Sequence, residues 1–222
     1  VGIQRHLHQL TAKRRLKAAF NDLELKQQEL EKVKTTVETA NRALRLLSAS
    51  NQTLLRITSE AEQLFQVCRI AVELGGYSAA WVGLAQHDDE KSVLPLAWYG
   101  IDGKALEQAQ MSWADTERGA SAMGTAIRTN IIQIRQDILL DSAMKPWHTA
   151  AQSLNIQSAI ALPLSVQGKV IGALAIYAPD PHAFQTAEVA LLQELASDLA
   201  FGIQTIRSEE HTSELQSRLH LV

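Results

Sequence analysis

The sequence predicts an α+β domain with a largely antiparallel sheet, preceded by a coiled-coil helix. A heptad repeat occupies residues 12–48, and apolar residues at helical spacing recur near 54–72 and 184–206. Between these two later helices, short apolar runs alternate with turn residues, which is typical of antiparallel strands joined by short connections. The first and last helices of the domain are therefore expected side by side on one face of the sheet.

The clearest strands lie in SAIALPLSVQGKVIGALAIYA, residues 158–178. Two continuous apolar runs flank a turn that contains Gly168, which can adopt the positive φ of a two-residue hairpin turn. Because continuous apolar strands need cover on both faces, this hairpin is expected at the centre of the sheet. Gly172 is expected to keep the second strand slim where the closing helix approaches.

The bulk composition excludes several function classes. The 222 residues carry a formal net charge of −3 without a basic block, so neither nucleic acid nor an anionic membrane is an expected partner. A single cysteine, Cys68, excludes an internal disulfide and a thiolate-rich metal site. With no apolar run long enough to span a bilayer and no signal peptide, a cytoplasmic location is expected, although a parent protein could be anchored elsewhere.

Residues 12–48 are predicted to form a parallel homodimeric coiled coil. They contain no Gly or Pro, and an apolar residue recurs at every seventh position. These residues are assigned to heptad position d and to the dimer interface: Leu16, Leu23, Leu30, Val37 and Leu44. Four of the five a positions are polar, and Lys26 at g can reach Glu31 at e of a second copy. The alternative is a lone amphipathic helix that packs on its own domain.

The remaining elements follow in chain order. Cap-type residues at 48–51 interrupt the long helix, and the next helix ends at Gly75-Gly76. Pro95 lacks the N–H that a central strand needs, so the second strand is expected at an edge or at a bulge. Strands are expected at 77–86, 92–99, 131–136, 157–165 and 169–178, and helices at 54–72, 103–110, within 111–129, at 141–153 and at 184–206.

Residues 207–217, RSEEHTSELQS, correspond codon by codon to a sequencing-adapter oligonucleotide read in frame. We interpret 207–222 as a non-native tail, the alternative being a genuine helix with Leu215 and Leu219 four residues apart. The chain begins at Val1 rather than Met, which predicts a fragment of a longer protein. The expected organisation is an N-terminal coiled-coil helix at 1–49, a domain at 50–206 and the tail.

Several short segments occur in a specific order and spacing: CRIAV at 68–72, GGY at 75–77, AWVG at 80–83, WADTERG at 113–119, GTAIRT at 124–129, PW at 146–147, SAIALPL at 158–164, GAL at 172–174, Tyr177, and LASDLAFGI at 195–203. In this order they resemble the GAF domains of bacterial multidomain signalling proteins, from about Leu47 to Ile203. The resemblance implies a six-stranded antiparallel sheet flanked by helices. It also implies a sensory or dimerising module.

In this subgroup, as the resemblance implies, such modules lie beside other sensor domains such as PAS domains. They often precede the diguanylate cyclase or phosphodiesterase domains of cyclic-di-GMP signalling, or the histidine kinase domains of two-component systems. The motifs of those output domains do not occur in this sequence, so the chain by itself is not expected to be an enzyme.

The resemblance places a ligand pocket between the sheet and the helices of region 102–155. Seven residues there are candidates for binding a small-molecule ligand: Trp98, Trp113, Thr116, Arg118, Thr125, Arg128 and Trp147. The alternative is that the tryptophans fill core, and that the two arginines cap helix ends or pair with nearby carboxylates. The residues identify no cofactor and predict no metal site.

Cys68 lies on the apolar stripe of the first domain helix, so a buried core cysteine is expected there rather than a nucleophile. His148 is expected at a solvent-facing helix position. The predicted function is therefore sensory, with a ligand or a conformational signal acting through the dimeric coiled coil. A structural dimerisation module without a ligand and a redox enzyme using Cys68 are the alternatives.

Overall fold

A computed structural model describes the backbone of residues 2–54, 57 and 59–219, and side chains for 8, 13–54, 57, 59–142, 144–145 and 147–209. The chain divides into two compact units, Val1–Glu38 and Thr39–Val222. Its helices are α1 Gly2–Leu54, α2 Glu60–Glu73, α3 Gly103–Gln108, α4 Ala122–Thr129, α5 His148–Ser153 and α6 Thr186–Leu219, with 3₁₀ turns at Glu117–Ala120 and Ser142–Trp147. Its strands are β1 Ala79–Ala85, β2 Val93–Tyr99, β3 Gln133–Arg135, β4 Ser158–Val166 and β5 Lys169–Ala178.

The strands form one antiparallel sheet in the order β2-β1-β5-β4-β3, which confirms the α+β class. The expected count of six strands is wrong, because the described residues form five. Where a further strand would run, Ser112 makes only an isolated bridge to Ser92. The segment then leaves the sheet, since the carbonyl of Ala114 accepts a 2.9 Å hydrogen bond from the Arg128 guanidinium.

β2 lies at an edge of the sheet, as Pro95 predicts. The register between β1 and β2 shifts beside Gly83, which pairs with Pro95 while Val82 pairs with Ala97. Leu96 is thus an extra residue on β2, which is the definition of a β-bulge. Both predicted consequences of the proline occur together, because a residue without an N–H fits an edge and a bulge equally well.

The hairpin of β4 and β5 lies inside the sheet, and most of its residues are buried on both faces. Gln167 and Gly168 have φ values of 51° and 79°, as in the type I′ turn that suits tight hairpins. Gly172 does allow a close approach, but the expectation that the closing helix makes this approach is wrong. A Cβ there would lie 2.1 Å from the carbonyl oxygen of Gly83, so the close neighbour is strand β1 rather than the closing helix.

Helices cover both faces of the sheet. On one face, α2, α6 and the end of α1 share a core with the sheet, to which Leu46, Leu64 and Leu195 contribute fully buried side chains. On the other face, α3, α4 and α5 cover a second apolar layer around Trp81 and Met123. The prediction that the first and last domain helices share one face is confirmed.

The expected interruption at 48–51 does not occur, because α1 continues to Leu54 and α2 begins only at Glu60. Leu46 and Leu47 are buried in the core just before that point, and Leu54 packs against the same core after it, so tertiary packing outweighs the capping preference of the polar residues. The predicted end of α2 is confirmed, with Gly76 at a φ of +69°. α6 runs past Ile206 without a break, so the tail assignment stays a prediction.

Within the unit Val1–Glu38, the helix exposes apolar residues at the predicted seam. Leu16, Leu23, Leu30 and Val37 are 52% to 73% exposed, and Leu44 in the second unit is 52% exposed. No helix in the described part of the chain combines the length and apolar character needed to cross a membrane.

Candidate functional site

An apolar cavity of about 90 Å³ lies between the sheet and the helices α3, α4 and α5. We call it the methionine cavity, because its walls include Met111, Met123 and Met144, which are all the methionines of the chain. Its floor is formed by β4 and β5, where Ala159 and Ala175 present small side chains. The space exists because seven of its lining residues are alanines, which leave room that larger side chains would fill.

The cavity opens between α3 and α5. Ala105 of α3 and Ala150 of α5 line it and are exposed to solvent. Both helices are six residues long, and α5 follows directly on a 3₁₀ turn. A mouth bounded by two short helices can widen more easily than one between long, deeply packed elements.

Two hydroxyl groups line the methionine cavity. Ser121 Oγ accepts a 3.1 Å hydrogen bond from the Gly124 N–H at the start of α4. Tyr177 Oη accepts a 3.0 Å hydrogen bond from the indole Nε1 of the fully buried Trp81. Burial raises the pKa of Tyr177, so the phenol keeps its proton at neutral pH.

Of the seven sequence candidates, Trp147 lines this cavity. Trp98 packs beside it in the same apolar layer, with its ring against Gly103 at the start of α3. The indole of Trp113 faces another way, because its Nε1 donates to the carbonyl of Gln86 and the Lys91 ammonium lies 4.9 Å from its ring. All three tryptophans border the same apolar layer, and of the three Trp147 is the one that lines the cavity.

Arg128 is a structural residue in this arrangement. Its Nη1 donates to the carbonyls of Trp113, Ala114 and Gly119, and its Nη2 lies 3.6 Å from Asp115. These contacts tie the 113–119 segment to α4, as the structural alternative predicted. The three carbonyls share the two N–H groups of Nη1, and Asp115 lies beside Nη2, so protein groups hold the guanidinium at two of its three nitrogens.

Thr116 and Arg118 line a separate, open groove beside β2. Thr125 lies on α4, where its carbonyl accepts the Thr129 hydroxyl at 2.7 Å. Thr116, Arg118 and Thr125 are not among the residues that line the methionine cavity, although the groove shares Leu106 and Met111 with it. The seven candidates thus lie at several places rather than in one site.

Cys68 is fully buried beneath β2, and burial raises the pKa of its thiol to about 12. The prediction of a core cysteine is confirmed. His148 is half-buried rather than solvent-facing, because its Nε2 lies 3.1 Å from the carbonyl oxygen of Asp141. Across the described residues, His, Cys, Asp and Glu form no group of three that could hold a metal ion.

The family model of the GAF domain matches residues 58–204, which is more than half of the chain. The chain therefore belongs to the GAF domain family, whose members are typically sensory or regulatory. No curated protein sequence matches the chain at a significant level.

Solved bacterial structures share this fold. The GAF domain from a phosphoenolpyruvate-protein phosphotransferase of Coxiella burnetii is 20% identical, with 78% of this chain and 98% of that chain covered and a TM-score of 0.62. The free methionine-R-sulfoxide reductase from Neisseria meningitidis, solved with its substrate, is 17% identical over 77% and 93%, with a TM-score of 0.64. The A. aeolicus NLH2 GAF domain, in an inactive state, is 13% identical over 75% and 98%, with a TM-score of 0.56.

The methionine cavity could not be read from the usual polar signals. A pocket was predicted in this region, but most of its lining was missed, because methionines and alanines read as core and binding sites are usually sought through charged or aromatic groups. One signal was available, since all three methionines lie within 111–144.

Proposed function

We propose that this chain is a non-catalytic sensory module of a bacterial signalling protein. A small molecule binds in the methionine cavity, and the signal passes through a parallel dimeric coiled coil to a neighbouring output domain. That domain belongs to cyclic-di-GMP signalling or to a two-component system, and the module works in the cytoplasm. The observation that carries the proposal is a preformed cavity on one face of a sheet whose other face holds the end of α1.

The sheet supplies a physical route between those two faces. Ala175 lines the cavity, while its neighbours Leu174 and Ile176 on β5 point to the other face and pack in the core with Leu46. A ligand that shifts β5 would therefore change the packing of α1, provided that it binds the two arrangements with different affinity.

The exposed d positions support the coiled-coil half of the proposal. Burying a leucine side chain is worth about 1.5–3 kcal/mol, so a stripe of exposed leucines gains stability when a second copy covers it. The polar a positions Gln27, Lys34 and Asn41 weaken such a seam. A marginal seam can hold two packings of similar free energy, which a signalling helix requires.

Native mass spectrometry of the full chain, purified from bacterial cytosol, tests the proposal. The expected result is a dimer that carries an added small-molecule mass, which is released on denaturation. A clean dimer without added mass would favour a purely structural dimerisation module, and a monomer without added mass would contradict both roles. The exposed seam alone is enough for the structural alternative.

A redox role for Cys68 has no support in the geometry. The thiol is buried, and its raised pKa leaves almost no thiolate at neutral pH. Alkylation that is slow in the native protein and fast after unfolding is expected.

A further inference from the structure

We propose that the methionine cavity binds a small, uncharged, largely apolar molecule with one hydrogen-bond acceptor, such as a short or cyclic ketone, ester or ether. The inference rests on the proposed sensory function and names the chemical class of its ligand.

The absence of charge at the cavity wall sets the first limit. None of the described lining residues is Lys, Arg, His, Asp or Glu, and the polar side-chain groups among them are the neutral hydroxyls of Ser121 and Tyr177 and the indole of Trp147. An ionised ligand would lose its hydration without gaining a counter-charge, which is strongly unfavourable. Nucleotides and zwitterionic amino acids are therefore poor ligands for this cavity.

The volume sets the second limit. A cavity of about 150 Å³ lined by apolar side chains holds benzene, which has six heavy atoms, so about 90 Å³ suits about four heavy atoms as it stands and up to six where the methionine side chains move aside. Methionine side chains are unbranched and adapt to irregular shapes. Met111, Met123 and Met144 can therefore close around related ligands of slightly different size.

Tyr177 supplies a directional contact at the floor of the cavity. Its Oη already accepts the Trp81 indole N–H, and among the described residues it has no acceptor for its own O–H. Because Tyr177 lines the cavity and stays protonated, its O–H is available to donate a hydrogen bond to an acceptor on a ligand. A ligand with a carbonyl or ether oxygen satisfies it, whereas a hydrocarbon of the same size does not.

The test uses the full chain labelled with ¹³C at the methionine methyl groups, since every methionine lines the cavity. Cyclopentanone is titrated while the three methyl signals are followed by NMR. We expect all three to shift and saturate, with a dissociation constant of about 0.1 to 10 mM. Cyclopentane should bind about tenfold more weakly, and cyclic AMP and methionine sulfoxide should leave the signals unmoved.

Three variants separate the steps of the inference. Ala151→Leu fills the cavity and should abolish saturable binding, whereas Ala190→Leu, at an exposed position of α6, should leave it unchanged. Tyr177→Phe should weaken cyclopentanone about tenfold and leave cyclopentane unaffected. Equal binding of cyclopentanone by Tyr177→Phe and the unmodified chain would overturn the role of the hydroxyl.

The experiments distinguish a wrong ligand class from a wrong proposed function. Signals that ignore cyclopentanone overturn the ligand class, even if native mass spectrometry finds a copurified molecule. Signals that move with cyclic AMP or methionine sulfoxide instead overturn the ligand class and leave the sensory function standing.

Discussion

Tyr77 Oη donates a 2.7 Å hydrogen bond to Oε1 of Glu188 across 111 residues of chain, and both side chains are buried. The other carboxylate oxygen accepts the backbone N–H of Phe184, whose ring stacks on Tyr77. The Arg42 guanidinium of α1 lies 5.6 Å from the Tyr77 ring. One cluster therefore joins α1, the entry to β1 and the start of α6, and the proposed signal through α1 would have to move these parts together.

Tyr77→Phe should destabilise the domain, because Glu188 keeps a buried carboxylate with one hydrogen bond fewer. A loss of about 1–3 kcal/mol in the free energy of unfolding is expected from chemical denaturation. Tyr99→Phe is the matched control, since Tyr99 Oη also bonds a glutamate, Glu73, at 2.7 Å but at an exposed position. An equal loss in both variants would contradict the importance of burial.

Stability should fall at alkaline pH because of Cys68. Its pKa is raised from 9.0 to about 12 in the folded protein, so the unfolded chain releases the proton first as the pH rises. The contribution is intact below about pH 9 and is lost progressively toward pH 12, by up to about 4 kcal/mol. Cys68→Ala should flatten this decline in urea unfolding measured from pH 8 to pH 11. Part of the decline in stability with pH should remain in Cys68→Ala, because burial also raises the pKa of Tyr77.

The seam prediction has a matched pair of leucines. Leu23 at d and Leu25 at f are 62% and 61% exposed in the single chain, so only association with a second copy distinguishes them. Leu23→Glu should weaken the dimer by about 100-fold or more in sedimentation equilibrium, because it places charge in the seam. Leu25→Glu should leave dimerisation nearly unchanged. Equal effects would mean that the seam is assigned to the wrong face.

Ala161→Asp should unfold the domain. Ala161 is fully buried on β4 against α4. The free-energy cost of burying an unpaired charge there exceeds the free energy of unfolding of a typical domain. Ser165→Asp, at an exposed position of the same strand, is the control and should retain the folded circular dichroism spectrum. A folded Ala161→Asp would contradict the assignment of the hairpin as a doubly covered centre.

Local chemistry explains what could be predicted. Pro95 determines where its own strand can lie, and Gly168 determines its own turn, so β2 and the hairpin follow from nearby residues. The continuation of α1 beyond Ser48 could not be read locally, because Leu46 is buried by residues far along the chain. The same holds for Arg128, whose carbonyl partners depend on how the 113–119 segment folds back.

The location of the candidate site was predicted from the sequence, but most of the residues that line it were not. The region between the sheet and the 102–155 helices does contain the cavity, and Trp147 lines it. Polar and aromatic side chains are the usual signs of a binding site in a sequence, whereas a cavity forms where neighbouring side chains are small. Seven alanines make this one, and a sequence pattern does not reveal which alanines face one another.

The most direct test asks whether the cavity and the seam communicate. The full chain carrying Leu30→Cys in a Cys68→Ala background places one thiol at d, where a parallel dimer brings the two copies into disulfide range. The rate of disulfide formation is measured with and without saturating cyclopentanone. We predict at least about a twofold change in rate that Ala151→Leu abolishes and Ala190→Leu retains. Identical rates, in a protein whose methionine signals show the cavity to be occupied, would contradict the proposed transmission from cavity to coiled coil.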